Sequence, residues 1–306
     1  MPILLPMKNN SIYPFALVIS VALWSCSSSN QSDNMIEEET DKVEKLAVAP
    51  DSWIQERTSK AEARLKSSEA GKLLWAAIEA HGGLTNWFSK GPISFHFDYR
   101  PLDGGMRRNS YQVVDQWSVR AVHEVAANRT VRYGWDGRQA WTFPDTANVG
   151  VNPRFWSTTP FYFVGLPFVL ADEGVLLELL GQKEFDGVVY DLIKATYESG
   201  VGDAPDDFYV IYINPETKLM GGLRYIVSYP GFFPDGGHLP EKFMELKDFQ
   251  TVDGITIPTG YNTHWFKEDQ PAEHITTIDV TEVAFLPEIL DSYFLMPPGS
   301  KVQEGY

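Results

Sequence analysis

The sequence predicts an α+β domain that is mainly antiparallel β, with about ten strands, one N-terminal helical segment and one aromatic interruption. Three observations carry this. The apolar period changes from about four to two after Pro92. Asp-Gly and Asn-Pro pairs then recur between apolar runs, which is the punctuation of hairpins. Finally, the run from Phe155 to Leu170 is aromatic and uncharged, so it needs an apolar face to cover, and the concave side of an open, strongly curved sheet supplies one.

The N-terminus reads as a processing signal. Lys8 precedes an apolar run, Ile12 to Trp24, of roughly 13 residues that contains Pro14 and stops at Ser25-Cys26. A spanning helix needs about 20 apolar residues, so cleavage is expected rather than a membrane span. Met7 is an alternative start. Leu23-Trp24-Ser25-Cys26 resembles a bacterial lipobox, whose cysteine becomes the acylated first residue of the mature protein; Trp24 stands where a small residue is usual. Cys26 is the only cysteine, so there is no disulfide framework, and several acyl chains on it (palmitate among them) would hold the chain stably on a membrane. A plain secretory signal with an incidental cysteine is the alternative.

These features divide the chain into a signal peptide over 1–25, an acylated cysteine and acidic tether over 26–52, and a single domain over 53–306. The tether has Ser, Asn, Gln and Asp up to Asn34, then Glu37-Glu38-Glu39-Thr40-Asp41, with almost no apolar content to drive collapse. Its acidic cluster also resembles the surface-export signals of some Gram-negative lipoproteins.

From about Trp53 to His81 the pattern is helical, with Leu74 and Ile78 four apart, and Gly82-Gly83 stops it. Ile93, Phe95, Phe97 and Tyr99 alternate with polar residues as a half-buried strand. Val131, Tyr133 and Trp135 repeat the alternation. Asp136-Gly137 joins that strand to Gln139–Phe143, Asp186-Gly187 leads into Val188–Tyr197, and Asp253-Gly254 separates Phe243–Val252 from Ile255–Trp265. Asn214-Pro215-Glu216-Thr217 joins Phe208–Ile213 to Leu219–Tyr229. The runs Phe208–Ile213 and Leu223–Tyr229 are dense enough to be covered on both faces. The last stretch, Pro287 to Tyr306, is expected to wrap the surface or fray.

Net charge is −16, and no cluster of Lys and Arg stands out, which argues against nucleic acid as a partner. There is no Gly-x-Ser-x-Gly elbow, and Gly200-Val201-Gly202 lacks the third glycine of a dinucleotide fingerprint. His123-Glu124 has no second histidine one turn on, and Asp203, Asp206 and Asp207 lack the glycine and glutamate of a calcium loop. No metal, cofactor or catalytic group is therefore expected. The six histidines read as surface or capping residues, although His264 and His274 flank a hairpin and could approach each other.

The opening Ala80-His81-Gly82-Gly83-Leu84, with Trp87 and then Ile93-Ser94-Phe95, resembles uncharacterised Gram-negative lipoproteins that look like the outer-membrane lipoprotein-sorting (LolA/LolB-like) superfamily. Tyr212 to Leu219 with Arg224-Tyr225, and Phe249 to Pro258, look like strand-turn-strand phrases of the same superfamily. The resemblance spans roughly Gly71 to Leu286. It implies a curved antiparallel half-barrel with helices plugging an apolar cavity, and a chain anchored at the outer membrane on its periplasmic face or at the cell surface.

The expectation that follows is a non-enzymatic carrier or receptor for a lipid, acyl chain or other apolar ligand. Phe95, Phe97, Trp135, Trp141, Phe155, Trp156, Phe161, Phe163 and Phe168 are the candidate lining, and Cys26 is the lipid-attachment site. Strand residues among them face the hollow or its opposite side according to register. Two other readings stay open: an envelope enzyme or carbohydrate-binding module using aromatic stacking and carboxylates, and a structural lipoprotein whose aromatic residues fill its own core.

Overall fold

The computed structural model describes residues 44–204 and 206–304. Cys26, the signal and the acidic cluster lie outside the described residues. Helices α1 (Asp51–Leu65), α2 (Glu69–Ala80) and α3 (Leu84–Ser89) come first. Five strands follow: β1 (Ile93–Pro101), β2 (Arg108–Asp115), β3 (Arg120–Val125), β4 (Arg132–Trp135) and β5 (Ala140–Phe143). Helix α4 (Pro153–Val164) and a short 3-10 turn (Phe168–Ala171) are the aromatic interruption. Then come β6 (Val175–Phe185), β7 (Val188–Tyr197), β8 (Tyr209–Ile213), β9 (Met220–Tyr225), β10 (Lys242–Leu246), β11 (Phe249–Val252), β12 (Ile255–Pro258), β13 (Gly260–Lys267), β14 (Gln270–Phe285) and β15 (Lys301–Gln303).

Thirteen strands make one open antiparallel sheet, ordered β15-β5-β4-β3-β2-β1-β14-β13-β10-β9-β8-β7-β6, and β11 and β12 pair separately. The expectation of about ten strands was low for identifiable reasons. Phe243–Val252 and Ile255–Trp265 each split in two, because β10 and β13 belong to the main sheet while β11 and β12 turn back on each other as their own hairpin. Strand β6 opens with Val175-Leu176-Leu177-Glu178-Leu179-Leu180, which has helix-forming leucines and no alternation; it is extended because it pairs with β7 along its whole length.

The single helical segment expected over Trp53–His81 is two helices. Ser68 starts the second, its hydroxyl accepting from the Gly71 amide at 3.1 Å. The expected stop is present: at Gly82 φ is +121° and a side-chain carbon would lie 2.3 Å from the Gly254 carbonyl oxygen, so only glycine fits against the β11–β12 turn. His81 secures the same junction, its backbone oxygen accepting from Thr256 N at 2.8 Å and its Nδ1 donating to Thr256 O at 2.8 Å.

The hairpin signals place the turns correctly. Asp186-Gly187 and Asp253-Gly254 have the paired positive φ values of a two-residue turn, 48° and 75°, and 50° and 82°. Asn214 accepts from Glu216 N and Thr217 N at 2.9 and 3.0 Å between β8 and β9.

The main core lies on the concave face, between the sheet and α1 to α4. Strand β8 is buried along its whole length because its opposite face carries a second cluster: Val210 and Tyr212 with Leu192, Phe243 and Phe266. At the far end of the convex face, Trp141, Val122, Ala47 and Phe294 form a third. Ala47 and Ala49, which the sequence places in the tether, are buried, and Leu46 bridges Leu290. The C-terminal stretch wraps the surface and then joins the sheet, with β15 pairing β5 at the edge.

Candidate functional site

The concave hollow is occupied largely by the protein's own aromatic segment. Asn152 caps α4 by accepting from Phe155 N at 3.2 Å, and Pro153 occupies its first turn, where the missing amide costs nothing. Along α4 and the 3-10 turn, Phe161 and Phe168 stack on Trp87 of α3 with ring centroids 6.1 and 4.6 Å apart. Trp156 packs edge-on against Tyr99 at 5.4 Å, and Tyr261 donates from its hydroxyl to Phe163 O at 2.9 Å. Offset and edge-on ring pairs add about 0.5–1.5 kcal/mol each beyond burial, so this plug is firmly seated.

One part of the hollow is left open. A cavity of about 450 Å3 lies between α4 and strands β7 to β9. Phe155, Thr158, Thr159, Tyr162 and Phe163 of α4 form one wall, and Tyr197, Tyr209, Tyr225, Val227 and Tyr229 form the other. Its size falls within the roughly 300–1,000 Å3 usual for small-molecule sites. Tyr162 and Tyr197 meet hydroxyl to hydroxyl, and burial pushes Tyr162, Tyr209 and Tyr225 far above the ordinary phenol range, so all three stay neutral. The lining is thus apolar ring surface with hydroxyl tips.

Three of the four carboxylates at its rim are engaged, Glu173 being the exception. Asp203 pairs with Arg154, whose guanidinium sits 3.8 Å over the Trp135 ring, and Asp172 pairs with Arg57. Asp207 accepts from Ser228 N and Oγ at 2.6 and 2.7 Å; burial raises its pKa and these two bonds oppose the rise.

Of the residues singled out by sequence, Trp135, Phe155, Phe161 and Phe163 line this cavity. Phe95, Phe97, Trp156 and Phe168 face the same hollow but are packed into the plug around it. Trp141 does not face the hollow. Trp135 pairs with Ala140 across the hairpin, so the next residue, Trp141, points to the convex side, over Gly134, where a side-chain carbon would lie 2.8 Å from the indole. Cys26 lies outside the described residues.

The tyrosine wall was missed. Alternation along β8 and β9 could have found it, since Tyr209 and Tyr225 share a face with Ile211 and Leu223.

The histidines need one correction. His123 is fully buried rather than at the surface, donating from Nε2 to Ser157 O at 2.8 Å and accepting at Nδ1 from Ser110 Oγ at 3.2 Å. His81 is buried too, although it caps α2 as expected; its Nε2 accepts from Met220 N at 3.2 Å. His264 and His274 stack with centroids 4.8 Å apart. Among the described residues no group of three or more His, Cys, Asp or Glu converges as a metal site. No described helix is long and apolar enough to cross a membrane.

An open antiparallel half-barrel with helices lodged in its hollow is the class of fold these features define. A family of unknown function, DUF6503, matches residues 151–243. That span contains every cavity-lining residue except Val119 and Trp135. In fold the chain is similar to a LolA superfamily protein from Nitrosomonas europaea, at 14% identity and TM-score 0.49, covering 74% of this chain and 97% of that one. It is similar to a DUF1329 family protein from Desulfovibrio piger at 15% identity, TM-score 0.49 and the same coverages. It is also similar to the lipoprotein LppX of Mycobacterium tuberculosis, at 19% identity and TM-score 0.23, covering 50% of this chain and 86% of that one. No curated protein matches the chain.

Proposed function

We propose that this chain is an envelope lipoprotein, tethered to the outer membrane through acylated Cys26, that carries or receives an apolar or amphiphilic ligand. The observation that carries the reading is the cavity of about 450 Å3 between α4 and β7 to β9, walled by ring faces that carry hydroxyls at their tips. Burial of apolar ligand surface supplies about 25 cal/mol per Å2 before the costs of ordering and association, and the hydroxyls add hydrogen bonds only to a ligand with a polar end. No bond is made or broken in this role.

The test is binding to protein stripped of co-purified lipid. A fluorescent fatty acid is expected to bind and to be displaced by unlabelled fatty acid, and organic extraction of protein purified from cells is expected to yield a stoichiometric amphiphile by mass spectrometry. Thr158→Trp and Val227→Trp, which fill the cavity from opposite walls, should each weaken binding at least about tenfold while leaving thermal unfolding intact. Undiminished binding in both variants would place the ligand elsewhere. The tether is tested separately: Cys26→Ser should move the chain from the membrane to the soluble envelope fraction, and unchanged partitioning would overturn acylation there.

A further inference from the structure

Several cations on the convex side of the sheet are neutralised by carboxylates, although Lys194 there lies over the Phe208 ring without an ion pair. Asp98 binds both Arg100 and Arg107, Asp279 binds Arg100 and Lys247, and Glu241 binds Arg224. Two cations on the concave side are not. Lys242 is the register partner of Tyr225 and of Trp265, and its Nζ lies 5.9 and 5.5 Å from their ring centroids. Arg108 is the register partner of Tyr99 and lies 4.8 Å from that ring and 4.9 Å from the ring of Trp156. Neither belongs to any ion pair found among the described residues, in a chain of net charge −16.

Glu241, which precedes Lys242, and Asp98, which lies opposite Asn109 rather than Arg108, are each one residue out of phase and so point to the other face. The Lys242 ammonium is pushed down to about 8, first by burial and then by the Arg108 charge. On the same face, Thr263 is 2% exposed and its buried hydroxyl has no hydrogen-bond partner, while the neighbouring Thr276 donates to the Tyr99 hydroxyl at 3.2 Å. Cation–ring contact orients a positive charge but does not neutralise it, so two such cations on one face favour an anionic group over a neutral or cationic one.

This cation pair adjoins the cavity. Tyr225 is both a cavity wall and the ring beneath Lys242, and Phe155, another wall, abuts Trp156 beneath Arg108 with centroids 6.2 Å apart. We infer that the ligand is an anionic amphiphile, its carboxylate or phosphate head held between Lys242 and Arg108 and its apolar part in the tyrosine-walled cavity. This rests on the cavity reading above and adds the charge of the head. The aromatic rings under both cations shield the head from water on one side, which strengthens the charge-assisted bonds it makes.

The test uses the lipid-stripped chain and four amphiphiles of equal chain length: laurate, dodecyl phosphate, dodecanol and dodecyltrimethylammonium, with inorganic phosphate alone as a fifth arm. Laurate or dodecyl phosphate should bind at least about tenfold more tightly than dodecanol, the cationic amphiphile should bind weakest, and the stronger of the two anions identifies the head. Lys242→Met and Arg108→Gln should each cost the anions about tenfold and leave dodecanol unchanged, while Lys242→Arg should restore them. Laurate binding should weaken from about pH 7 to about pH 9 in the native chain as Lys242 deprotonates, and hold steady in Lys242→Arg.

Equal affinity for dodecanol and the anions, or anion binding indifferent to both substitutions, overturns the head-group inference and leaves the cavity reading standing. Inorganic phosphate binding as tightly as dodecyl phosphate also overturns it, because the tail would then contribute nothing. Failure of all the amphiphiles overturns both.

Discussion

His81 and His123 show how much a single residue's surroundings decide. Each ring is buried, donates from one nitrogen to a carbonyl and accepts at the other, and so is complete only as the neutral imidazole. Burial lowers both from the ordinary 6.5 to about 4, the carbonyl contact opposing only part of the drop. The unfolded chain takes up these protons near pH 6.5, whereas the folded chain refuses them until about pH 4. Stability is therefore fully present above pH 6.5 and declines as pH falls through that window, by on the order of 3 kcal/mol for each ring. Denaturant unfolding at about pH 7 and about pH 4.5 should show the loss, and His123→Asn should remove part of the slope; equal stability at both values would refute it. In the Ala-His-Gly-Gly opening the histidine thus joins α2 to β12 and β9 rather than serving a ligand.

At the scale of elements, turn chemistry was the most legible part of the sequence. Asp and Gly tolerate the positive φ that a two-residue turn demands, so Asp186-Gly187 and Asp253-Gly254 announce their hairpins regardless of what packs around them. Helix punctuation was harder to see. The apolar spacing runs on from α1 into α2, and the break depends on Ser68 turning its hydroxyl onto the Gly71 amide. Ser68→Ala should cost about 1 kcal/mol and Ser68→Asp should recover most of it, read as a shift in thermal midpoint. No loss in Ser68→Ala would mean the break is held by packing alone. Strand β6 was illegible for the opposite reason: its leucines favour a helix, and only pairing with β7 makes it extended.

At the scale of the molecule, α4 is both plug and wall. Phe161 and Phe168 fill the hollow against Trp87, and Phe155, Thr158 and Tyr162 leave room beside β8 and β9. A ligand bound only by the folded chain stabilises it by mass action, so an amphiphile at about a hundred times its dissociation constant should add about 2.7 kcal/mol and raise the thermal midpoint in a concentration-dependent way. A midpoint unmoved by such a ligand would show that the cavity does not take it up.

Sequence alone determined the class of fold, the places where the chain turns and the segment that fills the hollow, because hydrophobic period, turn residues and absence of charge act over a few neighbours. Tertiary structure alone decided which side of the sheet each aromatic residue faces. Trp135 lines the cavity and Trp141 lies behind the sheet because Trp135 is paired with Ala140, a matter of register between strands. The placing of Lys242 and Arg108 on one concave surface was likewise invisible in a linear chain, since the two lie far apart in it and share a face only through the order and register in which the strands assemble.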